Sequence, residues 1–302
     1  MSRVASINGV LHAPDDAKVS VYDRGFLYGD SVFETIRTYG GEPFTLGEHL
    51  ARLERSAAKI GIVTPIAAAD LALEVRRAVR AARNDESYVR VTITRGSGPL
   101  GLDPALARDP LRVILVEPLT PLPGALYRHG VRAVTTRLDR PADAAPGAKI
   151  TNYLASLLAV QRAKAQGAHE ALLLDARGHV LEGATSNVFV VQDGALLTPP
   201  EDAGILAGIT RAQVLEIAGE LSIPVRFATF HPAITAQEAF LTSSLRELVP
   251  LIQIDESAVG DARPGPTTRA IHAAFRRRVG LGAEPMPWDP RESSGDEASS
   301  WA

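Results

Sequence analysis

The sequence predicts an α+β chain divided into two domains, and three observations carry that expectation. Runs such as "YVRVTITRG" (88–96) alternate apolar and polar residues, which is the pattern of a half-buried strand. Other runs repeat apolar residues at three- and four-residue spacing, as Leu50, Leu53, Ala57 and Ile60 do, which is the pattern of an amphipathic helix. A proline-rich stretch, "EPLTPLPG" (117–124), then interrupts the chain before a second series of such runs. With 302 residues, 45% apolar and 22% charged, the chain can bury a substantial core in each of two units. Residues 1–118 are expected as a small N-terminal α/β domain, 119–127 as the linker, 128–281 as a larger domain, and 282–302 as a disordered polar tail.

Taken in order, "ASINGVLH" reads as a hairpin about Asn-Gly, and "VFETIRTYGGEPFTL" as two strands about Gly-Gly. Helices are expected in "GEHLARLERSAAKIGI" and "AADLALEVRRAVRAAR", then strands in "YVRVTITRG" and "LRVILVEPL". Beyond the linker, "VRAVTTRL" reads as a strand and "PGAKITNYLASLLAVQRAKAQG" as a loop entering a helix. "EALLLDARGHVLEG" gives strands about a turn, and "NVFVVQDGALLTP" a hairpin about Asp-Gly. "ITRAQVLEIAGEL" is helical, "AFLTSSLRELVPLIQID" contains strand, and "TTRAIHAAFRRRVG" closes the domain as a helix.

Several classes of function find no support. A net charge of −3 gives no reason to expect nucleic acid or an anionic membrane as partner. No apolar run approaches the roughly 18–20 residues of a spanning helix, and the N-terminal stretch lacks the apolar core of a secretory signal. The absence of cysteine removes disulfide and thiolate chemistry and fits a reducing cytoplasm. Nor is there an HExxH, a histidine cluster or a glycine-rich phosphate loop, so no metal site is expected.

Only four of the 32 basic residues are lysines. One of them, Lys149, stands just ahead of the apolar run at 153–160, and an amine, unlike a guanidinium, can become neutral and nucleophilic. By itself it reads equally as a solvated residue at a helix start. Were it to bind an aldehyde cofactor, partners would be needed for a ring oxygen, a ring nitrogen and a phosphate. Tyr153, four residues on, would share a side with Lys149 if one helical turn separates them. It could equally be a core aromatic. Glu182 ends an apolar strand and could face a ring nitrogen, or be a surface carboxylate. Gly208, Ile209 and Thr210 open a helix, a natural anion site or an ordinary cap. Ser243, Ser244 and Arg52 could add phosphate donors.

The ordered series "YGDSVFETIR", "FTLGEHLARL", "YVRVTITRGSGPLGLDP", "AKITNYLASLLA", "LEGATSNVFVV", "LTPP…GILAGITR" and "FLTSSLRELVP" resembles the class IV aminotransferases, the pyridoxal-phosphate enzymes of fold type IV. The likeness runs from about Ile7 to Val279. It implies a small α/β domain and a larger domain built on a pseudo-barrel sheet with helices. It also implies pyridoxal 5'-phosphate as cofactor, with Lys149 as Schiff-base lysine and proton shuttle. Tyr153 would contact the ring oxygen and Glu182 the pyridine nitrogen. Arg52, the Ile209–Thr210 amides, Ser243 and Ser244 would hold the phosphate. Among activities sharing this framework, Tyr28, Phe33, Tyr88, Arg90 and Leu245 look like the substrate positions of branched-chain L-amino-acid aminotransferases. Thr35 departs from the glycine many of those carry, and leaves open an aminodeoxychorismate lyase. The same Arg90 leaves open a D-amino-acid aminotransferase. The family further implies 2-oxoglutarate as amino acceptor and a homodimer whose neighbouring loops complete the pocket.

Overall fold

The computed structural model describes residues 2–137, 145–282 and 286. Its first part is a six-stranded antiparallel sheet in the order β2-β1-β6-β5-β3-β4. The strands are β1 (Val4–Ile7), β2 (Val10–His12), β3 (Ser31–Tyr39), β4 (Glu42–Pro43), β5 (Ser87–Thr94) and β6 (Arg112–Pro118). A short helix α1 (Arg24–Tyr28) precedes β3, while α2 (Leu46–Lys59) and α3 (Ala68–Ala82) cover one face. The cause is the alternation visible in sequence: Val89, Val91 and Ile93 of β5 point into a core with Leu50, Leu53, Val75 and Val79. Tyr88, Arg90 and Thr92 are thereby left on the opposite face, half-exposed. Asn8 and Gly9, at φ 47° and 84°, make the tight turn that "NG" announced.

The second part is a nine-stranded sheet, β12-β11-β10-β13-β14-β7-β8-β9, with β15 paired to β14. Its elements in chain order are α4 (Gly124–His129), β7 (Val131–Thr136), α5 (Leu154–Ala165), β8 (Glu170–Leu174), β9 (Val180–Gly183), β10 (Asn187–Gln192) and β11 (Ala195–Thr198). There follow α6 (Ile209–Glu220), β12 (Val225–Phe227), β13 (Glu238–Ser243), β14 (Glu247–Ile254), β15 (Ser257–Ala258) and α7 (Pro266–Arg278). Most pairings are antiparallel, but β7–β8, β7–β14 and β11–β12 are parallel. Near-continuous apolar runs such as "NVFVV" follow from burial on both faces, with Phe189 and Phe240 stacked at 5.0 Å under α6 and α7. Tyr39 and Phe44 of the first part enter that same core. The two curled sheets are thus packed together, as an α+β fold of this kind requires.

Two local details differ from the sequence reading. Residues 119–127, read as linker, include the first residues of α4, because Tyr127 is buried and donates its hydroxyl to the Arg246 carbonyl at 2.8 Å. Lys149 lies in the expected loop ahead of the helix, but that helix, α5, begins only at Leu154 with Tyr153 as its cap. No helical turn therefore separates Lys149 from Tyr153. Apart from Gly282 and Met286, the tail at 282–302 lies outside the described residues. Among those described, no helix is long and apolar enough to cross a membrane.

Candidate active site

A cavity of about 450 Å³ opens between the two sheets. The first sheet supplies one wall from the face left free by its helices. Phe33 and Thr35 of β3, with Tyr88 and Arg90 of β5, line it, and Thr35 sits directly across from Arg90 in the register. The Arg90 guanidinium lies 3.8 Å over the Phe33 ring, a cation–π contact, and among the described residues it has no carboxylate partner. Lys149 reaches the same wall by pairing rather than by helix. The Phe33 amide donates to the Lys149 carbonyl at 3.0 Å and the Thr151 amide to the Ser31 carbonyl at 3.0 Å. The Lys149 amide donates to Ser56 Oγ at 3.1 Å. This short extended bridge holds the Lys149 amine 3.4 Å from the Tyr153 hydroxyl and 4.6 Å from the Phe33 ring centroid. Tyr153 in turn packs edge-on against Phe33 at 5.1 Å.

The far end of the cavity is built for an anion. Helix α6 opens at Gly208, and no side chain caps it. Its first amides are free of the intrahelical bonds that later ones make. A β-carbon at Gly208 would collide with the Asn187 side chain, so only glycine allows that approach. Arg52 arrives from α2, donating through Nη1 to the Ala207 carbonyl at 2.8 Å just before α6. Behind it, Glu34 accepts from Arg52 Nε at 2.7 Å and Nη2 at 2.6 Å, and from His49 Nδ1 at 2.7 Å. Burial pushes the Glu34 carboxyl up, but the Arg52 and His49 bonds and charges outweigh it and hold the group at about 2. His49 is pushed below its ordinary value by burial, against the pull of Glu34. It is neutral near pH 7, so its Nδ1–H is a donor to an ionised carboxylate.

The third side belongs to the second sheet. Glu182 of β9 lines the cavity and accepts from the Leu206 amide at 3.0 Å and from Asn187 Nδ2 at 3.4 Å. The turn between β13 and β14 brings Ser243, Ser244, Leu245 and Arg246 to the wall. It is pinned from behind: Arg37 Nη1 donates to the Leu245 carbonyl at 3.1 Å, and Tyr127 to that of Arg246. Glu247, left-handed at φ 59°, meets Arg37 at 3.0 Å and His272 at 2.6 Å. Burial raises that carboxyl, yet His272, Arg37 and Arg276 bring it below the ordinary range.

Of the residues singled out in sequence, Arg52, Lys149, Tyr153, Glu182, Ile209, Thr210, Ser243, Ser244, Phe33, Tyr88, Arg90 and Leu245 all border this one cavity. Tyr28 does not. Its hydroxyl accepts from the Gly101 amide at 3.2 Å and its ring receives Arg24 at 4.9 Å, which fixes it on the 96–109 loop instead. Arg246, Asn187, Thr185 and Thr242 also line the cavity and were missed. Only their return through long-range strand pairing brings them here, and no local pattern marks it. The donor set fits a flat, phosphate-bearing pyridine aldehyde. An amine, a phenol, a carboxylate and an uncapped helix start face one space, and the buried Thr242 hydroxyl beside Ser243 has no hydrogen-bond partner among the described residues.

Comparison with known proteins agrees. Residues 31–254 match the family model of amino-transferase class IV. A putative branched-chain-amino-acid aminotransferase of Methanocaldococcus jannaschii is 40% identical over 274 residues, covering 89% of this chain and 94% of that protein. A D-alanine aminotransferase of Bacillus licheniformis is 32% identical over 274 residues, covering 90% and 95%. The solved branched-chain amino acid aminotransferase of Escherichia coli superposes with a TM-score of 0.86 at 31% identity, over 95% of this chain and 98% of that one. The chain therefore belongs to the class IV aminotransferases and is a pyridoxal-phosphate-dependent transaminase.

Proposed function

We propose that this transaminase moves the amino group of a branched-chain L-amino acid to 2-oxoglutarate, with Lys149 as its catalytic base and the cofactor's covalent anchor. The observation that carries the reading is the Lys149 amine in the cavity, 3.4 Å from the Tyr153 hydroxyl, with Glu182 on the same cavity. When bound, pyridoxal phosphate supplies an aldehyde that captures amines and a protonated ring that accommodates the electron pair left on Cα. The chain supplies the rest. Arg52, the Ile209 and Thr210 amides, Ser243 and Ser244 hold the phosphate. Glu182 keeps a proton on the ring nitrogen, and Tyr153 donates to the ring oxygen. Lys149 Nζ takes the proton from the substrate's Cα and delivers it again, and its short extended bridge to β3 keeps it within reach throughout. Arg90, with Tyr88 beside it, receives the α-carboxylate, while Phe33 and Leu245 offer the aliphatic side chain an apolar surface.

The homodimer belongs to this reading. Leu154 on α5 is 68% exposed and Leu102 on the 96–109 loop is 81% exposed, apolar surface that a second copy would bury. The same loop holds Tyr28, so in a dimer Tyr28 would serve the neighbouring cavity. Sedimentation checks this: a monomer at micromolar concentration contradicts it.

L-leucine with 2-oxoglutarate should yield glutamate, and Lys149→Ala should abolish the exchange. The likeness to a D-alanine aminotransferase supports a second reading, on D-substrates. Inert L-leucine and L-valine with active D-alanine would select that reading, and release of aminobenzoate from aminodeoxychorismate would replace both by a lyase.

A further inference from the structure

A ring with a phosphate on a short arm has a fixed length. A site for it must therefore fix the spacing between the carboxylate that meets the ring nitrogen and the group that holds the phosphate. Glu182 lies near the end of β9, and the phosphate site opens at Gly208, the cap of α6. One side chain joins the two.

Asn187, the first residue of β10, is 5% exposed and borders the cavity. Its Nδ2 donates to Glu182 Oε2 at 3.4 Å and to the Leu206 carbonyl at 2.9 Å. The Leu206 amide donates to the same Glu182 oxygen at 3.0 Å. Carboxamide, carboxylate and the Leu206 backbone thus close a ring of three hydrogen bonds, and one edge of the carboxylate is pinned from two directions. On its other side, Asn187 Oδ1 lies 1.9 Å from where a Gly208 β-carbon would be. The start of α6 is therefore seated on the same carboxamide. Chemistry sets the orientation of that amide: reversed, its oxygen would face a carboxylate and a carbonyl, two acceptors. Aspartate would do the same, and leucine would bring no N–H at all.

We propose that Asn187 is a positioning residue for the cofactor, fixing the Glu182 carboxylate against the ring nitrogen and setting its separation from the helix start that holds the phosphate. It acts through Glu182, not on the reacting atoms. A binding group locked by a buried, hydrogen-bonded neighbour keeps its geometry when the cavity fills. Without Nδ2, Glu182 keeps the Leu206 amide, but the Leu206 carbonyl loses the bond that holds it. Both ends of the contact then come loose together.

This inference rests on the reading that Glu182 keeps a proton on the ring nitrogen, and the test separates the two. The readout is the visible absorbance band of the holoenzyme's cofactor, followed against pH. A positive ring nitrogen draws electrons from the lysine–cofactor bond, so that bond gives up its proton at lower pH; a poorly held Glu182 moves the midpoint up. Glu182→Gln should raise the midpoint by about one pH unit, and Asn187→Ala should raise it by at least half as much. In the Glu182→Gln background, Asn187→Ala should add nothing further. Alone, it should also lose cofactor on dialysis about tenfold faster, as expected for one buried hydrogen bond. Asn187→Ser keeps a hydroxyl donor and serves if the alanine variant does not fold; its shift should be smaller and in the same direction. A merely structural role would lower the melting temperature and leave the midpoint where it is. An unmoved midpoint in each Asn187 variant that folds, or a shift that adds in full to that of Glu182→Gln, overturns the role of Asn187 while Glu182 keeps its own. An unmoved midpoint in Glu182→Gln overturns the reading of Glu182, and the inference with it.

Discussion

Two buried carboxylates flank the cavity, and they resemble each other closely in chemistry. Glu34 accepts from His49 at 2.7 Å and from Arg52 at 2.6 Å; Glu247 accepts from His272 at 2.6 Å and Arg37 at 3.0 Å. They differ in what they hold. Glu34 fixes a side chain, aiming the Arg52 guanidinium at the start of α6. Glu247 fixes backbone shape, keeping a left-handed residue at the end of the turn that carries Ser243 to Arg246. A non-glycine residue in that region costs free energy and persists only where its surroundings over-determine it. The same Glu–His–Arg grouping thus serves a charge in one sheet and a conformation in the other.

The largest effect is expected at Glu34, where both donors lose their only common acceptor. Glu34→Ala leaves the Arg52 guanidinium and the His49 N–H buried beside a void. Breaking a buried pair in this way costs about 3–5 kcal/mol, a fall in melting temperature on the order of 10 °C. Differential scanning calorimetry of the holoenzyme measures it, and a fall of only 1–2 °C would mean that water replaces the carboxylate.

Acid should act next in size, and in the same direction on both groupings. Glu34 drops from its ordinary 4.5 to about 2 on folding. Its contribution is therefore complete above about pH 4.5 and is lost as pH falls toward 2, roughly 3 kcal/mol in all. His49 and His272 are both held below their ordinary 6.5 by burial, so the unfolded chain binds their protons first and stability begins to fall below about pH 6.5. Urea melts at stepwise pH should show these two windows. Glu34→Gln should flatten the lower one, and an unchanged slope would show that Glu34 titrates alike in both states.

How much of this was readable in the chain follows from the same contrast. Glu34, His49 and Arg52 lie within 18 residues, on a strand and the helix that covers it, and "FETIR" with "EHLARLER" displays them in one glance. Arg37 and Glu247 are 210 residues apart, and nothing in "FLTSSLRELVP" says that its glutamate turns inward while its arginine faces the cavity. The three hairpin signals and the alternation of β5 were legible because they depend on neighbouring residues. The bridge within the loop that carries Lys149 was not visible because its pairing partner, β3, lies more than a hundred residues earlier. That Tyr28 lies away from this protomer's own cavity was hidden for a related reason: its motif names the residue type but not the loop that captures its hydroxyl.

Arg37→Met sharpens the comparison further. Glu247 keeps His272 and Tyr39, so the loss should be about 1–3 kcal/mol, smaller than at Glu34. The functional signature should differ in kind as well. Freed from Arg37, the Leu245 carbonyl loses its clasp and the turn loosens, so KM for the amino donor should rise fivefold or more while cofactor affinity stays constant. Arg52→Met should do the reverse, weakening cofactor retention first. Identical profiles for the two variants would erase the distinction between a held charge and a held turn.

The smallest change is Tyr39→Phe. The Tyr39 hydroxyl stands 3.3 Å from Glu247, a longer bond than those from Arg37 and His272. Burial and the nearby carboxylate push its ionisation well above the ordinary value of 10.0, so it remains a donor. Phenylalanine keeps the ring and its edge-on contacts with Phe44 at 5.4 Å and Phe275 at 6.4 Å. It also leaves no orphan, because the carboxylate retains two stronger donors. The cost should therefore stay at or below about 1 kcal/mol, with donor KM within twofold of the unaltered protein. A loss above about 2 kcal/mol, read from urea melts at pH 7, would mean that all three donors act as one network. Glu247 would then be as fragile as Glu34, and its extra partner would be a requirement of the strained turn, not a reserve.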